Sequence, residues 1–332
     1  MPESPATESA SIPTEDAPPA SAWIHRRASV AHQDWPSAAL YVIATPIGNL
    51  SDLSLRAWEA LRRCDVIAAE DTRVSRTLLQ AWDVHTPLIA AHRHNEAQAS
   101  QTILAHLQDG KRVGLISDAG APAVSDPGGR VVRAVREAGY RVIPIPGASA
   151  VMAALMASGA TSDANPAFAF AGFAPAKPAA RQQWLRQWCA LPAPVVLFES
   201  PHRLAALLQD LTQLCDAQRL LTLGRELTKR FEQIVTLPIA QLPDWLAADA
   251  QRAQGEFVLI VHEAPRPALS ARTDALSTDA LALLDALLES LSVRDAARVA
   301  ARVTGAPRDV LYQAALSRVK DQPRATLACL SR

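Results

Sequence analysis

The feature that most constrains this chain is a succession of short apolar runs, each closing in small or polar residues and each followed by a helical pattern. The runs are Leu40 to Thr45, Asp65 to Glu70, Pro87 to Ala91, Arg112 to Asp118 and Arg141 to Pro146. Helical spacing of apolar residues recurs in Asp52 to Arg63, Glu96 to Gln108, Arg130 to Ala138 and Ser149 to Ala157. Strands alternating with helices predict a parallel sheet covered by helices, because each strand buries both faces and each crossover needs a segment of helical length.

A second unit begins near Ala167, after the helix breakers Asn165 and Pro166. Its strands read at Ala167 to Phe173, Pro194 to Glu199, Leu220 to Arg225, Phe231 to Leu237 and Glu256 to His262. Pro265 and Pro267 open a linker, and from Thr278 the pattern is helical to the end. Residues 1–36 are rich in Pro, Ala, Ser, Thr and Glu, with too few large apolar residues to offset the entropy of ordering them. The expected organisation is therefore a disordered extension over 1–36, two α/β domains over 37–160 and 161–264, and a helical segment over 278–332.

Composition narrows function by exclusion. Lys plus Arg and Asp plus Glu are both 33, so the whole-chain charge gives no argument for a nucleic-acid partner, and any such case must be local. Cys64, Cys189, Cys215 and Cys329 lie far apart with no Cys-x-x-Cys pair, which argues against a zinc site and a disulfide framework and fits a reducing cytoplasm. No apolar run approaches the about 18 residues of a membrane span, and no basic region followed by an apolar stretch opens the chain.

In an open parallel sheet, ligands bind at the carboxyl ends of the strands. Four loops there stand out: Thr45 to Leu50, Glu70 to Arg73, Ser117 to Gly128, and Pro146 to Ala150. Their glycines and alanines admit a ligand close to the backbone, and Asp118 and Ser149 offer hydrogen bonds to a polar cofactor. The loops contain neither Gly-x-x-x-x-Gly-Lys-[Ser/Thr] nor Gly-x-Gly-x-x-Gly after the first strand, which argues against a kinase, an ATPase and an ordinary dinucleotide dehydrogenase.

Eight segments occur in the order seen in one family: Thr45 to Leu50, Ala69 to Arg73, His94-Asn95-Glu96, Ser117 to Gly128, Pro146 to Ala150, Phe198 to Arg203, Arg225 to Lys229 and Gly255 to Leu259. In these the chain resembles the ribosomal RNA small subunit methyltransferase I group of the tetrapyrrole methylase superfamily, from about Leu40 to Ala264 and again at the C-terminus. The resemblance implies two α/β domains of the tetrapyrrole methylase type, a class III methyltransferase fold, with S-adenosylmethionine bound between them. It also implies a homodimer, and 2'-O-methylation of a cytidine in the decoding region of 16S rRNA within the small ribosomal subunit. Carried over by position, Ile47, Gly48, Asp118, Ala121, Ser149 and Ala150 would contact the cofactor, with Glu199, Leu227 and Phe257 from the second domain. The family usually has Thr where this chain has Ala121 and Gly where it has Ala123, so one hydroxyl is lost and one backbone position is less permissive.

Methyl transfer needs the acceptor oxygen in line with the methyl group, and a ribose hydroxyl benefits from a base or from a cation that stabilises the developing alkoxide. Candidate bases include Glu70, Asp71, Glu199, Glu226, His94 and His202; Asp71 and Glu70 lead because they close a strand. Lys229 is the first choice for holding a phosphate or the acceptor oxygen. Arg73, His94, His202, Arg203 and Arg225 are candidates for RNA contact. Against these stands a structural alternative: Glu70 with Arg73, and Glu226 with Lys229, have the spacing of salt bridges on a helix or turn.

At the C-terminus, Ser292 can cap a helix from Val293 to Val303, Gly305 can stop it, and Pro307 suits the first turn of another helix running to about Arg318. With Leu281 to Leu291 before them, these make three short helices resembling a helix-turn-helix. Arg294, Arg298 and Arg302 share one face, Val293, Ala296, Ala300 and Val303 are expected to pack inward, and residues 294–320 carry six Lys or Arg against two Asp. RNA docking by this face is the expectation, and a merely solvated face the alternative. Two further readings compete with RNA methylation: a methyltransferase acting on a tetrapyrrole precursor, and a catalytically inactive nucleic-acid-binding regulator.

Overall fold

The computed structural model describes residues 20–163, 165–264 and 276–321. Two compact units, divided after Ala264, make up the chain. In the first unit, strands β1 (Ala39–Ile43), β2 (Val66–Ala69), β3 (Leu88–Ala90), β4 (Arg112–Ile116) and β5 (Arg141–Ile145) form a wholly parallel sheet in the order β3-β2-β4-β1-β5. Its crossovers carry helices α2 (Leu55–Arg63), α3 (Thr72–Ala81), α4 (Glu96–Gln108) and α5 (Gly129–Glu137). Residues alternate between the two faces of a strand. Leu40 accordingly packs with Ile103, Leu107 and Val131, while Tyr41 and Ile43 turn to the opposite core with Leu61, Ile67 and Leu79. Each fully buried side chain of this kind contributes about 1.5–3 kcal/mol.

Disorder was the expectation through residue 36, yet from Ala20 the chain forms helix α1 (Ala20–Ala31) and then packs inward at Trp35. The cause is local apolar content: Trp35 is buried in the core of the first sheet, Val30 packs beside it, and Arg63 donates to the Ala31 carbonyl at 2.8 Å. The first part of the expected extension, residues 1–19, lies outside the described residues.

Helix α6 (Ala150–Ser158) leads to a second sheet of β6 (Ala169–Phe173), β7 (Val195–Glu199), β8 (Leu220–Arg225), β9 (Gln233–Pro238) and β10 (Phe257–Val261), ordered β6-β7-β10-β8-β9. Only β6 and β7 run parallel; β10 is antiparallel to both neighbours. One face packs on α7 (Pro178–Cys189), α8 (Pro201–Leu214) and α9 (Leu242–Ala247). The other buries Val196, Val258 and Ile260 against Val151, Ala154 and Leu155 of α6, the helix that follows β5 of the first sheet.

The second unit consists of α10 (Thr278–Leu288), α11 (Val293–Thr304) and α12 (Arg308–Asp321). Ser292 accepts the Asp295 N–H at 3.2 Å and caps α11, and Gly305 ends it in the left-handed conformation at φ 70°. Ala296, Ala297 and Ala300 are buried against Leu284 and Leu311. Val303, expected inside, is 68% exposed, because the stripe of small residues that meets α10 and α12 runs through Ala297 instead. No helix among the described residues is long and apolar enough to cross a membrane.

Candidate active site

Because every strand of the first sheet points the same way, the loops that leave β1, β2 and β4 meet on one edge. Thr45 and Gly120 exchange backbone hydrogen bonds of 2.9 and 3.0 Å, and Asp118 Oδ1 accepts the Asp71 N–H at 2.9 Å. Gly120 sits at φ 76°, and a β-carbon there would stand 3.3 Å from Ile47 Cγ2, so only glycine keeps this junction open. In the second sheet the reversal of β10 brings its first residue to the ends of two neighbours: Phe257 pairs with Glu199 on one side and Arg225 on the other.

Between these two edges lies a cavity of about 360 Å³, within the range of small-molecule and cofactor sites. Ile47, Ala121, Ser149, Ala150, Glu199, Leu227 and Phe257 line it, together with Gly120, Val124, Asp126, Phe173, Phe198 and Glu256. Seven of the nine residues expected at the cofactor therefore share one cavity. The other two stand beside it: Asp118 ties down the loop after β2, and Gly48 packs against Lys229. The aromatic wall of Phe173 and Phe198, with ring centroids 5.5 Å apart, escaped the sequence reading. A signal was present, since Phe173 closes β6 and is in register with Phe198, one residue before Glu199. Glu256 was not singled out either, although it lies in the Gly255 to Leu259 segment beside Phe257.

Backbone strain concentrates in the loops around the cavity. Ala123 and Ser125 in the loop after β4, and Glu226 and Thr228 after β8, hold φ between 51° and 68° without being glycine. Such conformations cost on the order of 1 kcal/mol or more each and cluster at functional sites.

The acidic groups divide by environment. Burial first, then the charges of Asp118 and Asp126, push the Glu70 carboxyl above the usual carboxylate range. Asp126, which lines the cavity, is raised mainly by its own burial. Asp71 lies far below the usual range because Arg73 donates to it from its side chain and backbone, and it caps α3. Glu70 is therefore the stronger proton acceptor of the pair, and Asp71 is a helix cap held as an anion. The helix that Asp71 caps begins inside the stretch that reads as a loop in sequence.

Lys229 pairs with Glu226 and Glu256 at 3.0 Å each. Burial alone would lower its pKa, but the two carboxylates raise it, so it remains a fixed cation. Burial likewise opposes ionisation of Glu226, and the Glu256 N–H and Lys229 reverse the effect. Arg203 donates to Glu199 Oε2 at 3.0 Å and to the Ala174 carbonyl, which positions Glu199 in the cavity wall. Arg225 donates to the carbonyls of Gln254 at 2.5 Å and Phe231 at 3.3 Å, holding the turn after β8. Arg73, His94 and His202 are exposed, with His94 edge-on to His92 at 6.1 Å and His202 in the first turn of α8. In the helical unit Arg294, Arg298 and Arg302 are exposed on α11, Arg298 paired with Asp295 at 2.8 Å. No cluster of His, Cys, Asp and Glu among the described residues could hold a metal.

Two α/β sheets enclosing a small-residue cavity at the carboxyl edge of a parallel sheet define a methylase of the tetrapyrrole type. The family model for Tetrapyrrole (Corrin/Porphyrin) Methylases matches residues 39–243. The crystal structure of the methyltransferase CobJ superposes with a TM-score of 0.51 and 19% identity over 69% of this chain and 96% of that one, a likeness of fold. A second family model, the RsmI C-terminal HTH domain, matches residues 274–318. The ribosomal RNA small subunit methyltransferase I of Neisseria meningitidis serogroup A is 43% identical over 84% of this chain and 93% of its own length. That of Pseudomonas aeruginosa is 43% identical over 85% and 98%. The chain belongs to the ribosomal RNA small subunit methyltransferase I family, whose methyl donor is S-adenosylmethionine.

Proposed function

We propose that this protein methylates the ribose 2'-hydroxyl of a cytidine in the decoding region of 16S rRNA, within the small ribosomal subunit. One observation carries the reading: relatives named for ribosomal RNA small subunit methylation match both the methylase part and the helical unit. That favours RNA over a tetrapyrrole precursor, which the fold alone would equally admit. The uninterrupted cofactor loops speak against an inactive regulator.

The cavity suits S-adenosylmethionine: alanines and Gly120 leave room on one side, Phe173, Phe198 and Leu227 offer apolar surface, and Ser149 and Glu199 offer polar groups. The donor supplies a methyl group on a positively charged sulfur, open to in-line attack by oxygen. Glu70, within electrostatic reach of Asp126 in the cavity wall, takes the hydroxyl proton, because its raised pKa makes it the better acceptor of the adjacent pair. Lys229, permanently charged beside Glu256, stabilises the developing alkoxide or its neighbouring phosphate.

The same reading includes a homodimer and a cytoplasmic site of action. In support of the first, α6 lies against the edge strand β9 while Met156 is 84% exposed and Met152 and Ile234 are also exposed. In support of the second, Cys64, Cys189 and Cys215 are free thiols; Cys329 lies outside the described residues. The proposed organisation keeps α/β domains over 37–160 and 161–264 and a helical unit from 278, with the first domain extended toward the N-terminus by the buried Trp35. The test is incubation with small ribosomal subunits and labelled donor, followed by mapping of ribose methylation. Label on a decoding-region cytidine 2'-oxygen is expected. Label on a base, or only on a tetrapyrrole precursor, would overturn the reading.

A further inference from the structure

Beside the cofactor cavity lies a second, open depression of about 290 Å³, lined by Arg93, Glu96, Asp126, Arg130 and Arg133 with Pro127 and Gly129. Asp126 lines both cavities, so the depression adjoins the cofactor site. Its three guanidinium groups are exposed and come from two anchored elements. Arg93 sits in the turn after β3, which is closed by His92 N–H to Asn95 Oδ1 at 2.8 Å and Asn95 Nδ2 to the Ala90 carbonyl at 3.1 Å. Arg130 and Arg133 stand one turn apart on α5 and so share a face.

The carboxylates present offset these cations only in part: Asp126 and Glu70 lie within Coulombic reach of Arg93 but form no salt bridge with it. Glu96 is turned toward the backbone, accepting the Gly128 N–H at 2.7 Å, and its approach to Arg130 is 3.9 Å. Arg93 and Arg133 have no ion pair among the described residues. On a protein of zero net charge, three converging guanidinium groups form a local anion trap, and their planar forks match phosphate oxygens. Gly129, in the first turn of α5, adds the positive end of that helix.

We propose that Arg93, Arg130 and Arg133 form a phosphate-binding subsite that holds the RNA backbone next to the nucleotide being methylated. The proposal rests on the reading that RNA is the substrate. The division of labour is that the cofactor cavity performs the chemistry and this depression fixes the register of the strand across it, since phosphate contacts position and do not specify.

The test compares the wild-type protein with Arg93→Ala/Arg133→Ala and Arg93→Lys/Arg133→Lys, using small ribosomal subunits and the naked RNA of the decoding region. The alanine pair is expected to raise KM at least about tenfold with kcat within about twofold, and to flatten the slope of log affinity against log salt by about two units. Cofactor affinity and Tm should stay at wild-type values. The lysine pair should recover the salt slope but not the full affinity, because an ammonium cannot make the forked contact. Unchanged KM and slope in the alanine pair, with a wild-type protein that does methylate small-subunit RNA, would overturn this subsite alone. Weaker binding to particles but not to naked RNA would point to a ribosomal protein and overturn it also. No methyl transfer to RNA by the wild-type protein would instead overturn the functional reading, and this inference with it.

Discussion

Lys229 lies across Gly48: a β-carbon at position 48 would stand 2.5 Å from Lys229 Cγ and 3.1 Å from Thr228 Oγ1. The contact joins the loop after β1 to the turn after β8, two segments from different sheets. The same lysine is anchored to Glu226 and Glu256, and Leu227 and Glu256 line the cavity. Gly48 therefore acts on the cavity through the closeness of its backbone to the opposite wall.

Gly48→Ala should push the 226–229 turn outward and weaken binding of S-adenosylhomocysteine by on the order of tenfold, since overpacking of this kind costs about 1–3 kcal/mol. Calorimetric titration reads this directly. Adding Lys229→Ala removes the clashing stem, so the double variant should bind more tightly than Gly48→Ala alone. Equal affinity in the two would mean that the contact does not control the cavity.

Glu70→Gln and Asp71→Asn should part company. The first removes the proton acceptor and should lower single-turnover methyl transfer by about 10² or more. The second keeps a good helix cap for α3 and should leave the rate near wild type. A raised carboxyl pKa favours the protonated form on folding. Its stabilising effect is complete below the unfolded value and lost as pH rises through the raised folded value. Glu70→Gln should therefore raise Tm at pH near 7, with the gain vanishing below about pH 4. Asp71 has the opposite sign: its stabilisation is present above the ordinary carboxylate range and fades only as pH falls through its depressed value. An equal loss of rate in both single variants would remove Glu70 from the role of base.

The parallel sheet was legible because each strand of β1 to β5 is a local apolar run and each crossover a local periodicity. One rule about strand ends then located the loops that hold Ile47, Ala121 and Ser149, and the family resemblance singled out Ile47 and Ala121 within them. The reversal of β10 was not legible: antiparallel pairing of Phe257 with Glu199 and Arg225 is a property of partners distant in sequence, and no local spacing encodes it. The place of Glu256 depends on that pairing, whereas the aromatic wall depends on the parallel register of Phe173 with Phe198. Helix α3 was hidden for another reason: Glu70 to Arg73 begins as a strand end, and Asp71 is at once a loop residue and a helix cap. Helix α1 carries exposed Trp23 and Ile24, so its pattern lacked a one-sided stripe.

Ala123 holds φ 65°, where a β-carbon is unfavourable by about 1–2 kcal/mol. Ala123→Gly relieves that strain while adding about 0.5–1 kcal/mol of backbone entropy to the unfolded chain. The expected net gain is about 0.5–1 kcal/mol by urea unfolding. Ala121, in the same loop without a positive φ, serves as control, and Ala121→Gly should give no gain. A loss at position 123 would mean that its methyl group packs productively against the loop.

The arginines of α11 give the last prediction. Arg294, Arg298 and Arg302 are exposed on one face while Ala296, Ala297 and Ala300 fill the opposite side, so replacing the arginines leaves the core of this unit untouched. They are not equivalent. Arg298 is paired with Asp295, which is itself fixed by the Ser292 hydroxyl at 2.7 Å, whereas Arg294 and Arg302 have no ion pair among the described residues. An exposed pair is worth only about 0–1 kcal/mol, but a guanidinium must leave it before meeting a phosphate, and the stranded carboxylate then repels the RNA. Each phosphate contact contributes about 0.9 to the slope of log affinity against log salt on a duplex, and about 0.7 on a single strand. Arg294→Gln/Arg302→Gln should therefore flatten that slope by about one and a half to two units for small-subunit RNA, and Arg298→Gln by clearly less. Truncation after Pro267 should weaken binding at least as much as the double variant. Cofactor affinity should be retained in all three, because none of these residues lines the cavity. Helical content measured by circular dichroism on the substituted proteins separates loss of contact from loss of fold. An unchanged slope in both the double variant and the truncated protein would show that α11 is a solvated face and leave RNA docking to the α/β unit.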